Sequence, residues 1–180
     1  MNPQLEDIDR QFQTISTRAR ELAARAGARF GKRPSPGRWS AAECIEHLTI
    51  SSEAFFPILE EALAEARRKG LVAEAPFRLD FIGKLLIWTL EPPSKFRVPA
   101  PAGFHPGENV DVSLVVSRFL ASQARVHEFV RAAAGLPVDK IKVRSPFDRR
   151  VRYSIWSAFC SAASHQRRHL WQAEQAIRQI

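Results

Sequence analysis

The chain has no apolar run long enough to cross a membrane, which takes roughly 20 residues. The longest stretch, around Leu85-Leu86-Ile87-Trp88, is short and follows Lys84. The first ten residues are polar and acidic, without the apolar core of a secretory signal. Only two cysteines occur, Cys44 and Cys160. Both lie in predicted helices, which argues for small buried side chains in a reducing compartment and against a disulfide framework. These absences lead to the expectation of a cytoplasmic protein. Internal repeats and low-complexity tracts are also missing.

Acidic residues are scarce in the second half. The net charge of +8 divides into about +1 over residues 1–90 and +7 over residues 91–180. The densest basic stretch runs from Lys140 to Arg152. Such a stretch suits an anion-binding surface. No aromatic-interleaved nucleic-acid module accompanies it, so the sequence favours a solvated basic face over a nucleic-acid-binding bundle.

What is present is amphipathic helix. With 180 residues, 45% of them hydrophobic, the chain can bury a substantial core, and a single domain over 1–180 is expected. A first helix is predicted from Leu5 to Ala28, with Leu5, Ile8, Phe12, Ile15, Ala19, Leu22 and Ala26 on one face. Pro34-Ser35-Pro36-Gly37 makes a loop. A second helix starts at Ser40, where Ser40-Ala41-Ala42-Glu43 matches a capping box, and ends near Gly70. Pro57 is expected to kink it. A short apolar helix is predicted from Leu79 to Leu90, within a long proline-rich connection spanning 71–110. A third helix runs from Asp111, a capping residue, to Ala134. Residues 140–144 alternate and read as extended. A fourth helix spans Ser154 to Ile177. Four amphipathic helices point to an all-α bundle.

The chemistry concentrates in the fourth helix. His165 and His169 are four residues apart, so at about 100° per residue both rings leave one face a turn apart. His169 falls on the apolar stripe with Phe159, Gln166 and Ala173. A buried, unpaired imidazole is costly, and a metal ion, a carbonyl or a carboxylate would each satisfy it. Upstream, His47 lies at the edge of the apolar face of the second helix. Three neutral imidazoles suffice to hold a transition metal and leave a coordination position open. Periodicity does not say whether His47 points at the fourth helix. Of the other histidines, His105 reads as a surface loop residue, and His127 borders the third helix stripe as an outside candidate for a fourth ligand.

Trp39-Ser40-x-x-Glu43-x-x-x-His47-Leu48, followed by His165-x-x-Arg168-His169-Leu170-x-Gln172, resembles the DinB-like superfamily, also called the YfiT-like metal-dependent hydrolases. The resemblance covers roughly Leu5 to Ile177. It implies an up-down-down-up four-helix bundle with a long connection between helices two and three. It also implies a metal site of His47, His165 and His169 holding a divalent transition metal, nickel or zinc. Relatives include homodimers and enzymes that transfer low-molecular-weight thiols such as bacillithiol or mycothiol. The implied function is a metal-dependent hydrolase or thiol S-transferase acting on a small molecule. The alternative is a non-catalytic, stress-associated protein with a structural metal.

No catalytic base stands out in the sequence. Glu43 lies one turn before His47, but its capping role competes with that use. Arg168 flanks His165 and suits an anionic substrate if it does not face solvent. Gln172 is placed to orient His169. Trp39, Trp88, Trp156 and Trp171 read as core or interface aromatics, with Trp88 a candidate to line a pocket under the long connection.

Overall fold

A computed structural model of the chain describes residues 2–93, 99–107 and 110–180. It is mostly helical, with one two-stranded sheet. The α-helices are α1 (Pro3–Ala26), α2 (Ala41–Glu53), α3 (Phe56–Arg68), α4 (Phe81–Leu90), α5 (Val115–Ala132) and α6 (Ile155–Arg178). The strands β1 (Lys142–Arg144) and β2 (Arg152–Ser154) lie between α5 and α6. α1 packs against α5 and α6, α2 packs against the same two helices, and α4 lies on α6.

The stripe on α1 is the clearest case of sequence dictating packing. All seven of its predicted apolar positions are buried. Each of its large side chains contributes about 1.5–3 kcal/mol by leaving water. The helix begins where the Asn2 side chain accepts the Leu5 backbone N–H at 3.0 Å. It ends at Gly27, whose φ of 52° suits a glycine.

The second predicted helix is two helices. α2 ends at Glu53 and α3 begins at Phe56, so the break precedes Pro57 rather than centring on it. In an unbroken helix, residue 57 would donate to the carbonyl of Glu53. Proline has no N–H, and its ring would clash with that carbonyl. The ladder therefore stops at Glu53, and Pro57 sits in the tolerant first turn of α3.

The third helix starts later than expected. Asp111 does not cap it: its side chain accepts from the backbone and hydroxyl of Ser113, forming a local turn, and α5 opens at Val115. The extended segment near Lys140 is half of a hairpin. Lys142 pairs with Ser154, Val143 with Tyr153 and Arg144 with Arg152. Val143 and Tyr153 point inward, while Lys142, Arg144 and Arg152 are exposed. The hairpin leads into α6, whose cap is the Ser154 side chain accepting from Ser157 N at 3.1 Å. The first free N–H groups of that helix, on Ile155 and Trp156, donate to the carbonyls of Ile141 and Val138.

Asp80 ties this corner together. One carboxylate oxygen accepts from Gly83 N and Ser157 Oγ, and the other from Lys142 Nζ and Ser154 N. It therefore caps α4 and fastens it to both strands and to the first turn of α6. The expected proline-rich connection lies partly outside the described residues. Within them, Ala102–Phe104 forms a short 3-10 turn. No helix of the described residues is long and apolar enough to cross a membrane.

Candidate metal centre

His47 comes from the middle of α2, and His165 and His169 from successive turns of α6. The packing of α2 on α6 brings the three rings together: ligand atoms of all three lie within 4.8 Å of one another. Ring centroids are 5.2 Å apart for His47 and His165, 4.4 Å for His47 and His169, and 4.6 Å for His165 and His169.

The hydrogen-bond partners fix how the rings face. Nδ1 of His47 lies 2.7 Å from the Phe104 carbonyl oxygen. A carbonyl only accepts, so Nδ1 carries the proton and Nε2 presents a lone pair. That Nε2 is 3.3 Å from Nε2 of His165. Two nitrogens held about 2.0–2.1 Å from one tetrahedral ion would be about 3.3–3.4 Å apart, so the observed separation fits such an ion. His169 is 9% exposed, and its Nδ1 is buried without a hydrogen-bond partner among the described residues. A buried ring nitrogen without a hydrogen-bond partner, on a residue whose ring joins the other two, fits a set of metal ligands. The three-histidine cluster could hold a metal ion.

The protonation states agree with that reading. Burial lowers all three imidazole pKa values, and the Phe104 carbonyl only partly offsets this at His47. For His165, burial together with His47 and Arg168 brings the value down to about 3. His169 is depressed well below the ordinary range by burial, the two other rings and Arg168, with Gln172 pulling weakly the other way. Neutral imidazoles are the form that binds metals.

The rings open onto a cleft of about 1360 Å³. Trp39 covers one side, its ring centroid 5.1 Å from His47 and 6.1 Å from His169. Leu86 and Leu90 of α4, Pro99 to Pro101, Phe147, Tyr153 and Trp171 complete much of the wall. Trp88, expected as a pocket residue, does not line the cleft and is 53% exposed. Trp156 is buried against Phe77.

The remaining sequence candidates fall into place one by one. Glu43 completes the capping box: Oε2 accepts from Ser40 N at 2.8 Å, while Ser40 Oγ accepts from Glu43 N. Both carboxylate oxygens also accept from Arg33. Burial pushes the Glu43 pKa up, but the Arg33 and Ser40 contacts outweigh it and hold the group below the usual carboxylate range. Arg168 does not face solvent. It is 7% exposed, lines the cleft and donates to the Thr89 carbonyl at 2.9 Å. Gln172 also lines the cleft beside His169. His127 lies outside the cluster; its Nδ1 is 2.6 Å from Asp9 Oδ1, between α5 and α1. His105 is exposed, as expected of a loop residue, yet it borders the cleft and meets Trp39 edge-on at 5.9 Å.

Sequence reasoning missed the Phe104 carbonyl and the Tyr153 and Trp171 walls. A backbone acceptor leaves no mark in the residue pattern. Trp171 had a signal in its position three residues after Arg168, about one turn on along the same helix.

No curated protein and no solved structure matches the chain. The DinB superfamily profile matches residues 9–173, from the second turn of α1 to late in α6, and takes in both histidine-bearing helices. With nearly the whole chain inside that match, the protein belongs to the DinB superfamily.

Proposed function

We propose that His47, His165 and His169 hold a divalent transition metal, nickel or zinc, with one coordination position open to the cleft, and that the protein is a thiol S-transferase acting on a small molecule. The observation that carries the metal is the 3.3 Å approach of two Nε2 atoms beside the orphaned His169 nitrogen. In this reading α1, α2, α5 and α6 form the up-down-down-up bundle of the family, and the protein works in the cytoplasm as a homodimer. Exposed Phe81 and Leu85 on α4 are consistent with a partner surface.

A divalent ion at this site supplies Lewis acidity, which makes a nucleophile available near neutral pH. The choice between hydrolysis and thiol transfer turns on the base. Hydrolysis normally wants a general base within hydrogen-bond reach of the attacking water. Glu43 is committed to Ser40 and Arg33. Asp148, the one carboxylate among the described residues lining the cleft, is held by Arg150. A thiol would ionise at such an ion without a dedicated carboxylate, and as a thiolate it needs no further proton removal as it attacks, which water does. The chain's own residues then position and shield: Phe104 orients His47, Gln172 steadies His169, and Trp39 limits water over the rings.

The test is turnover of monobromobimane with 2-mercaptoethanol by nickel- or zinc-loaded protein. Thiol consumption above background, lost on chelation and in His165→Ala, supports the reading. Ester hydrolysis at the same site without any thiol would instead make the protein a hydrolase. Metal retention with neither activity would favour a structural ion.

A further inference from the structure

Three formally charged side chains among the described residues line the cleft: Arg38, Arg168 and Asp148. The negative one is already neutralised. Asp148 Oδ1 accepts from the backbone N and Nε of Arg150 at 3.0 Å each, and Oδ2 accepts from the guanidinium at 2.9 Å. The two cations differ in place: Arg168 is buried in the wall, and Arg38 is exposed on the rim. Three neutral imidazoles bring no negative charge, so a divalent ion held by them keeps its double positive charge. The apolar wall of Leu86, Leu90 and Phe147 strengthens the resulting field.

Arg38 stands out because it is exposed, lines the cleft, and its guanidinium makes no hydrogen bond or ion pair among the described residues. It is nonetheless well placed. Its backbone N–H donates to Ser35 O at 3.1 Å, closing a turn in which Gly37 has a φ of 74°. The next residue, Trp39, packs on the His47 and His169 rings. The turn therefore fixes the backbone of Arg38 at the edge of the cleft that Trp39 also lines. A planar fork of donors matches a carboxylate or phosphate.

We propose that the cleft selects small anionic ligands and that Arg38 is the rim residue that binds their carboxylate or phosphate group. This rests on the three-histidine reading, and the experiment separates the two. The protein is loaded with cobalt as a coloured stand-in, and cobalt is counted per chain. The visible bands are then titrated with 3-mercaptopropionate, 3-mercapto-1-propanol and cysteamine, which are similar in size and differ in charge.

The expected order is anion, then neutral, then cation. An exposed ion pair supports a preference of about five-fold between the first two. Arg38→Gln should reduce that ratio to about one with cobalt content unchanged, and Arg38→Lys should keep part of it. Raised salt should shrink it, because the rim is open to solvent. Stronger competition by acetate than by inorganic phosphate assigns a carboxylate, and the reverse order assigns a phosphate. Equal binding of the three thiols to stoichiometric cobalt, or a preference unchanged in Arg38→Gln, overturns the proposal and leaves the metal site standing. Failure to take up cobalt overturns the site itself.

Discussion

Asp80→Ala should be the most destabilising substitution of a partly exposed residue in this protein. The native carboxylate accepts from Lys142 Nζ at 2.6 Å, Ser154 N at 2.6 Å, Gly83 N at 2.8 Å and Ser157 Oγ at 3.0 Å. A hydrogen bond to a charged group contributes about 1.5–3 kcal/mol, and loss of an N-cap costs about 0.5–2 kcal/mol. These do not sum, because the four share one carboxylate and Lys142 is free to turn to water. The two backbone donors, left without their acceptor, dominate, and a net loss of about 3 kcal/mol is expected. For a chain of this length that lowers Tm by about 6–12 °C. Thermal melts followed by circular dichroism measure it. Asp80→Asn keeps one oxygen for the α4 cap and should lose about half as much.

The pH dependence has a definite sign. Burial raises the Asp80 pKa, but Lys142, Gly83, Ser154 and Ser157 together hold it below the usual carboxylate range. A depressed native pKa gives stability that is present above the unfolded value, about 3.9, and is lost as pH falls through the lowered native value. The gap between wild type and Asp80→Asn should therefore be constant near neutrality and narrow in acid. An Asp80→Ala loss below about 1 kcal/mol would refute the reasoning, since the four contacts would then be geometric coincidence.

Three further outcomes follow from the site. Glu43→Gln should lower stability by about 1–2 kcal/mol while leaving metal content unchanged, because the group caps α2 and pairs with Arg33; metal loss in this variant, measured by mass spectrometry, would contradict that role. The metal-free protein should lose stability as pH falls below about 6.5, where an unfolded chain protonates histidines that the fold keeps neutral; denaturant melts across pH 4–8, with a flat response, would count against buried imidazoles. Copper or nickel titration should quench tryptophan emission through Trp39, at 5.1 Å from His47, and Trp39→Phe should remove most of the quench; an equal quench in the variant would place the ion elsewhere.

How much of this was legible in the sequence depended on how local the cause was. The α1 stripe from Leu5 to Ala26 is pure periodicity, and it is buried as read. The Ser40–Glu43 box depends on four consecutive residues and has both its bonds. Pro57 announced a disturbance, but periodicity does not say that the chain breaks before it and leaves it in the first turn of α3. The hairpin was half seen: alternation over residues 140–144 marked β1, whereas the three residues of β2 run straight into α6 and show none. At the site, the four-residue step placed His165 and His169 on one face. Their convergence with His47 needs the packing of α2 on α6, which spacing does not encode. The resemblance carried by Trp39-Ser40 supplied that link. The burial of Arg168 escaped periodicity because α4 covers a face that would otherwise meet water.

The central claim is that three imidazoles bind one ion together. The most direct measurement is metal content per chain of untagged protein by mass spectrometry, before and after loading with nickel or zinc, in the wild type and in His47→Ala, His165→Ala and His169→Ala. One ion per chain is expected in the wild type. Each single substitution should sharply reduce it, and His127→Ala should retain it, since that ring pairs with Asp9. Equal metal in the wild type and the three variants would contradict the account.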